Sequence, residues 1–200
     1  MHDLEHVLDV AERLAVAEGP AAVTIRALSD ATSVSNGALY HAFGTRAGLL
    51  GRAWVRAAER FLELQRTAVD QALSGGADGN ATEAVVAAAL CPASLFDQNP
   101  TTARFLLTVR REELLRSGDV PADVADELRR LDDALGAIFV RLALSLWDRK
   151  DKRALALVRD CVVHLPTALL LRGNRVGDRA ARDRLAAAVR AVLTIPPSNR

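Results

Sequence analysis

Cysteine and histidine are scarce in this sequence. The two cysteines, Cys91 and Cys161, lie far apart and form no CxxC pair, so neither a disulfide framework nor a thiolate metal site is predicted. We expect both thiols to be buried as small apolar groups. The four histidines, at positions 2, 6, 41 and 164, are scattered, and no Glu-x-x-His motif is present for a di-iron centre. No bound metal is therefore predicted, and His164 is expected to be a hydrogen-bonded core histidine.

The motifs of nucleotide and hydrolase chemistry are missing as well. The sequence has no GxGxxG, P-loop, Gly-x-Ser-x-Gly or His-Glu-x-x-His motif, so we predict no enzymatic activity and no cofactor. No window reaches about 18 uninterrupted apolar residues, which predicts no membrane span. The N-terminus, MHDLEHVL, is too acidic and has too short an apolar stretch for a signal peptide, which favours a cytoplasmic protein.

What the sequence does contain is alanine, leucine and valine. Half of its 200 residues are hydrophobic, only 4% are aromatic, and no run of alternating β-branched residues is evident. Such a composition favours helices, and the length is sufficient for one or two domains with a sizeable core. The sequence therefore predicts an all-α protein.

Residues 24–46 contain two short helical patterns separated by a polar turn. The first pattern has its apolar residues on one side, with Thr24 placed as a cap. Thr32, Ser33 and Ser35 then surround the single apolar Val34, which is typical of a turn fixed to the core by one side chain. The second pattern places Leu39 and Phe43 on its inner face. We interpret the segment as a helix-turn-helix whose outward residues, Asn36, Gly37, Ala38, Tyr40 and His41, are available for contact.

The segment from Val34 to Phe43, VSNGALYHAF, resembles the DNA-binding segment of the tetracycline-repressor (TetR) family. Thr45-Arg46 and Leu49-Leu50 continue the likeness, which begins near Leu4 and covers about the first quarter of the chain. It matches the spacing of a whole three-helix unit. The resemblance implies a DNA-binding domain at residues 1–48 and a helical ligand-binding and dimerisation domain at residues 49–200.

The resemblance also implies which residues contact DNA. Phosphate contacts are expected from Thr24, Ser35, Tyr40, His41 and Arg46. Base contacts are expected from Arg26, Asn36, Gly37 and Ala38. In the alternative interpretation, Tyr40 is partly core and His41 is plain surface.

Charge argues against strong DNA binding. Six acidic residues outnumber four arginines in residues 1–52, and the whole chain has a formal net charge of +1. We expect most of the acids to form a solvated outer face of the first helix. Arg26, Arg46 and Arg52 are expected to flank the contact surface, giving modest affinity that depends strongly on salt.

Beyond residue 44, the sequence predicts a long connecting helix over about 45–73 and a flexible loop at 74–80, with Asn80 capping the next helix. That helix is expected to end near Leu90, before Pro92, and Pro166 is expected to kink the penultimate helix. The last two helices carry excess apolar surface, and the resemblance implies that they form a homodimer interface. Candidate walls of an effector pocket, which also suit plain core, are Phe96, Phe105, Leu106, Val109, Phe139 and Trp147.

These patterns predict a ligand-responsive regulator. In this interpretation a dimer binds a pseudo-palindromic double-stranded DNA operator and is released, as a repressor, when a small apolar or amphipathic effector binds. The alternative is an all-α protein-interaction module whose helix-turn-helix no longer binds DNA, and the net negative charge of residues 1–52 leaves it open.

Overall fold

The structure, a computed structural model, describes residues 2–75, 80–116 and 118–198, and all regular secondary structure in these ranges is helical. The all-α prediction is confirmed. Residues 76–79 of the predicted loop, and Ser117, lie outside the described residues. The helices are α1 (His2–Glu18), α2 (Ile25–Thr32), α3 (Asn36–Phe43), α4 (Arg46–Ser74), α5 (Ala81–Gln98), α6 (Pro100–Thr108), α7 (Arg111–Arg116), α8 (Ala122–Trp147), α9 (Lys152–Leu171) and α10 (Arg179–Leu193).

The chain divides into two compact units. Unit 1 comprises residues 1–60 and 99–132, and unit 2 comprises residues 61–98 and 133–200. The long helices α4 and α8 each contribute one part to each unit. The boundary after residue 48, which divides the predicted DNA-binding domain from the predicted ligand-binding domain, stays a prediction. It divides the chain by function, whereas the two units are defined by compactness.

Unit 1 has one apolar core that includes the helix-turn-helix. Leu28 of α2 and Leu39 of α3 are fully buried in it, together with Phe105 of α6. Burying a leucine or phenylalanine side chain contributes about 1.5–3 kcal/mol, so these helices stabilise one another. The helix-turn-helix therefore shares its core with α6.

Two glycines allow α4 to approach the start of α8 within unit 1. A Cβ atom on Gly51 would lie 2.7 Å from Val124 Cγ1, and one on Gly48 would lie 3.0 Å from Pro121. Beside them, the Thr45 hydroxyl donates a hydrogen bond of 2.8 Å to the Asp119 carbonyl. The first turns of α4 are thus held closely against the segment that opens α8.

In unit 2, α5 continues through Pro92, so the prediction that this helix ends near Leu90 is wrong. Proline has no N–H, and its presence frees the carbonyl four residues earlier, which belongs to Ala88. That carbonyl accepts a buried hydrogen bond of 3.1 Å from Gln65 Nε2 of α4. The side chain of Gln65 replaces the missing backbone donor, and the helix is preserved. The predicted Asn80 cap of α5 is confirmed by a 3.2 Å bond from the Glu83 N–H.

The helix α9 also contains a proline and is widened rather than broken there. It is α-helical over Lys152–Arg159 and π-helical over Asp160–His164 and Thr167–Leu171, on either side of Pro166. The helix is long and apolar enough to cross a membrane by length and composition alone, and about a third of its most apolar stretch is buried. A core helix of a soluble protein meets the same test. Arg159 and Asp160 interrupt the apolar run of α9.

His164 is not a core residue, which corrects the sequence prediction. Its side chain is 63% exposed, and Nδ1 lies 2.7 Å from Asp160 Oδ1 one turn earlier. The wide turns of α9 change the helical periodicity around this position, so a face inferred from a 3.6-residue repeat does not apply.

Candidate nucleic-acid interface

Each helix of the helix-turn-helix begins with a hydroxyl cap. Thr24 Oγ1 accepts a hydrogen bond of 3.1 Å from the Ala27 N–H, and Ser35 Oγ accepts one of 3.2 Å from the Ala38 N–H. A hydroxyl that accepts in this way can still donate its own hydrogen. Both caps can therefore donate to an outside acceptor while they fix the helix starts.

The turn between α2 and α3 is built from local hydrogen bonds. Thr32 Oγ1 donates to the Leu28 carbonyl at 2.6 Å, and Ser33 ends α2 in the left-handed conformation with φ of 60°. The next residue, Val34, is half-buried and packs against the core of unit 1, as predicted. Leu39 and Phe43 are buried on the inner face of α3. These contacts fix which face of α3 points outward.

The outward face of α3 carries small and polar side chains. Tyr40 is 57% exposed, so more than half of its surface is available for contact. A Cβ atom on Gly37 would meet nothing within 4 Å, so no neighbour in the described structure requires glycine there. All five predicted contact residues of this face, Asn36, Gly37, Ala38, Tyr40 and His41, are exposed.

The two arginines predicted to contact DNA differ in their surroundings. The Arg26 side chain on α2 is 90% exposed and lies 4.0 Å from Asp30. Arg46, at the start of α4, donates from Nε to the Val23 carbonyl at 2.6 Å and from Nη2 to the Pro20 carbonyl. Arg46 therefore holds the short turn that leads into α2. This role could not be predicted from the sequence, because both partners are backbone carbonyls, which every residue has.

Arg52, which the sequence predicts to flank the contact surface, is paired with two acidic residues. It lies 2.5 Å from Asp123 and 3.8 Å from Glu127, both of α8. These acids follow Arg52 by more than 70 positions, so no local pattern indicates the pairing.

The acidic face of α1 is not simply solvated either. Arg56 of α4 lies 2.9 Å from Glu5, 2.8 Å from Asp9 and 2.6 Å from Glu12. Glu12 is only 2% exposed and also accepts a hydrogen bond of 2.7 Å from the Thr102 hydroxyl of α6. Three of the six acids in residues 1–52 are thus paired with an arginine just beyond that range, which reduces their repulsion of a nucleic acid.

Burial lowers the pKa of Arg56, but its hydrogen bonds to Glu12 and Glu5 and the charges of Glu12 and Asp9 raise it more. The pKa of Arg56 therefore lies above its ordinary value. Arg56 Nε is buried without a hydrogen-bond partner among the described residues. This cost is offset by the three carboxylates on the other guanidinium nitrogens.

The six predicted effector-pocket residues divide between the two units. Phe105 and Val109 are buried in the core of unit 1, and Leu106 is partly buried against that core. Phe139 of unit 2 is buried, whereas Phe96 and Trp147 are half-buried. Among the described residues, no group of three or more His, Cys, Asp or Glu side chains is placed to hold a metal ion.

The comparison with protein families agrees with this geometry. The tetR family of bacterial regulatory proteins matches residues 7–53, which contain most of α1, all of α2 and α3, and the start of α4. No curated protein sequence matches the chain.

Solved structures share the fold over nearly the whole chain. A tetR-family bacterial regulatory protein from Rhodococcus RHA1 is 17% identical, with a TM-score of 0.67 over 100% of both chains. The TetR-family transcriptional regulator PfmR from Thermus thermophilus is 20% identical, with a TM-score of 0.61 over 94% of this chain and 97% of that one. The superantigen PfiT is 18% identical, with a TM-score of 0.70 over 96% of this chain and 95% of that one.

The structure defines an all-α helix-turn-helix protein with the fold of TetR-family transcriptional regulators. The match over residues 7–53 assigns the helix-turn-helix segment of the chain to the TetR family of bacterial regulatory proteins. At these identities the solved structures show the fold alone, so the operator, the effector and the direction of regulation are matters for proposal.

Proposed function

We propose that this protein is a ligand-responsive TetR-family repressor that binds a pseudo-palindromic DNA operator as a homodimer in the cytoplasm. The observation that carries the proposal is the outward face of α3, which is exposed, capped by Ser35 and backed by the buried Leu39 and Phe43. A short helix held in this way can enter the major groove without unfolding any part of the core.

Base recognition is assigned to the small and amide groups near the start of α3. Asn36 can pair with adenine through two hydrogen bonds, and Ala38 can contact a thymine methyl group. Gly37 lets the α3 backbone come close to the duplex, which accounts for a glycine that no intramolecular contact requires. Arg26, which is almost fully exposed, can pair with guanine.

Phosphate contacts are assigned to groups around that face. The Thr24 and Ser35 hydroxyls have a hydrogen to donate after capping their helices. Tyr40, His41 and Arg46 are exposed beside them and complete the set. Such contacts position the protein, whereas the base contacts supply specificity.

The homodimer interface is assigned to α9 and α10. Only about a third of the most apolar stretch of α9 is buried in the described structure, which leaves apolar surface for a second copy. A two-fold dimer would place two α3 helices in successive major grooves about 34 Å apart, and the operator would mirror that symmetry.

The effector is assigned to unit 2, with Phe96, Phe139 and Trp147 as candidate wall residues. Gln65 supports the assignment, because its Oε1 is buried and has no hydrogen-bond partner among the described residues. An amphipathic effector with a hydroxyl or N–H group would satisfy this acceptor. A coupling of about 1–3 kcal/mol between effector and operator would weaken DNA binding by about 5–150-fold.

The test is selection of duplexes from a randomised pool by the full-length protein, followed by titration of the enriched sequence. We expect a pseudo-palindromic sequence to be enriched. Ala38→Glu, which puts a carboxylate on the outward face of α3, should abolish binding. Ala137→Glu, the same substitution at an exposed position of α8, is the matched control and should bind as the wild type does.

Effector dependence is tested by screening small amphipathic compounds against the enriched duplex. We expect at least one compound that binds the protein to release the duplex. Gln65→Met should weaken its effect. Compounds that bind unit 2 and leave DNA affinity unchanged would contradict the proposed response.

A second candidate function is supported by the absence of lysine and arginine from α3 itself. The PfiT comparison also shows that the fold occurs in a protein described as a superantigen. In this candidate the helix-turn-helix is a scaffold for protein contacts. Failure to enrich any duplex at low salt, with the fold and the dimer intact, would favour it over DNA binding.

A further inference from the structure

A cavity of about 460 Å³ lies inside unit 1, next to the helix-turn-helix. Its apolar wall includes Leu50 of α4, Val109 after α6 and Leu114 of α7, each of which is less than a tenth exposed. Its polar wall includes Arg46, Arg110 and Glu113, with Pro20, Thr45, Ala47, Thr108 and Asp119 completing the lining. A cavity of this size with an apolar floor and a few polar groups is typical of a small-molecule site.

The charges on the polar wall are unequally paired. Arg46 donates to the carbonyls of Pro20 and Val23, which carry no net charge, and the described residues place no carboxylate in ion-pair contact with it. Arg110 lies 3.9 Å from Glu113, and both side chains are mostly exposed, so this pairing is weak. The guanidinium of Arg46 can therefore accept an anionic partner without breaking an ion pair.

We propose that this cavity binds a small amphipathic carboxylate. Its anionic group would lie against Arg46 and Arg110, and its apolar body would lie on Leu50, Val109 and Leu114. Arg46 also holds the turn that leads into α2, so the bound anion acts directly on the helix-turn-helix. The site lies wholly within unit 1, separate from the unit 2 pocket assigned to the effector.

Binding at this site has a regulatory consequence that rests on the proposed function. Arg46 is assigned to a DNA phosphate, and the bound carboxylate would occupy the same guanidinium. The carboxylate and the operator then compete, without any change in unit 2.

The binding test uses Trp54 as the reporter, because its Nε1 donates to the carbonyl of Val109 on the cavity wall at 3.0 Å. Trp147→Phe leaves Trp54 as the remaining tryptophan. Octanoate is the probe, and octan-1-ol of the same chain length is the uncharged comparison. We expect a saturable change in Trp54 emission with octanoate, and an affinity for octan-1-ol about tenfold lower.

Three further variants locate the site. Ala47→Leu fills the cavity and should abolish the response, while Arg110→Met should weaken octanoate binding about tenfold without changing octan-1-ol binding. Arg129→Met, at an exposed position on α8 outside the cavity, is the matched control and should change neither. Thermal unfolding confirms that each variant folds.

Several results would overturn the proposal: no saturable response to octanoate, equal affinity for octanoate and octan-1-ol, or octanoate binding that Ala47→Leu leaves intact. Competition between octanoate and DNA is measured in a separate experiment. Octanoate should weaken duplex binding by the wild type and not by Ala47→Leu. If the protein binds no DNA, the proposed function fails, and the Trp54 titration still decides whether the site exists.

Discussion

The side chain of Gln65 donates a 3.1 Å hydrogen bond to the carbonyl of Ala88, four residues before Pro92. In an uninterrupted helix, that carbonyl would accept from the N–H of residue 92, which proline lacks. One buried side chain of α4 therefore completes the backbone bonding of α5. The relationship explains how a proline is tolerated in the middle of an 18-residue helix.

This relationship predicts coupling between positions 65 and 92. Pro92→Ala supplies the missing N–H, so it should stabilise the Gln65→Met variant by about 1 kcal/mol more than it stabilises the wild type. Urea unfolding of the four proteins of this double-mutant cycle measures the difference. Additive effects of the two substitutions would show that Gln65 does not compensate for Pro92.

The same case shows why the sequence predicted the wrong end for α5. A proline is visible in the sequence as a missing donor, whereas the donor that replaces it lies 23 residues from Ala88, on another helix. Local patterns predicted the caps Thr24 and Asn80 correctly, because a cap and its partner are three residues apart. A hydrogen bond between two helices, such as that from Gln65 to Ala88, has no fixed spacing in the sequence from which it could be predicted.

The buried Glu12 carboxylate should make Thr102 important for stability. Thr102→Val keeps the shape of the side chain but removes the hydroxyl that donates to Glu12, so we expect a loss of about 1–3 kcal/mol. Thr101→Val is the matched control, because Thr101 lines the same polar cavity beside Glu12. Chemical unfolding that ranks the two variants equally would contradict a specific role for the Glu12–Thr102 bond.

Gly37→Ala separates folding from DNA binding. A Cβ atom there meets nothing within 4 Å, and alanine favours helix more than glycine, so stability should rise by up to about 1 kcal/mol. Affinity for the enriched duplex should nevertheless fall, because the methyl group would stand between α3 and the base edges. Thermal unfolding and anisotropy measure the two effects. Unchanged affinity would mean that the α3 backbone does not approach DNA at Gly37.

Gly51→Ala should destabilise unit 1. The added methyl carbon would lie 2.7 Å from Val124 Cγ1, and overpacking of this kind costs about 1–3 kcal/mol. Gly136→Ala is the matched control, since α8 has open space around that glycine and alanine should stabilise the helix. Comparable unfolding midpoints for the two variants would show that α4 and α8 do not meet closely at Gly51.

Two ion pairs of α10 predict how stability depends on pH. The hydrogen bond to Arg190 lowers the pKa of Glu83 below 4.5, and the hydrogen bond to Arg182 lowers the pKa of Asp97 below 3.8. Because both pKa values are lower in the folded state, their contribution is present above the unfolded values and is lost as pH falls through the folded values. Replacing Arg190 and Arg182 by Gln should therefore reduce the change in unfolding temperature between about pH 5 and pH 3. A full wild-type decrease in the double variant would assign acid sensitivity to other groups.

The candidate interface was predictable in part. The outward face of α3 follows from the spacing of Leu39 and Phe43, and the structure exposes all five of its residues. The partners of Arg46, Arg52 and Arg56 were not predictable, since each arginine contacts groups that are distant in the sequence. The electrostatics of the interface therefore required the structure, whereas its position did not.

The most direct measurement is fluorescence anisotropy of the full-length protein with the enriched duplex across a salt series, for the wild type and Ala38→Glu. With one or two arginines contacting phosphate in each protomer, log affinity should fall against log salt with a slope of about −2 to −4. Ala38→Glu should remove specific binding while the protein stays folded. Wild-type binding that is absent at low salt, or that Ala38→Glu leaves unchanged, would contradict DNA recognition by α3.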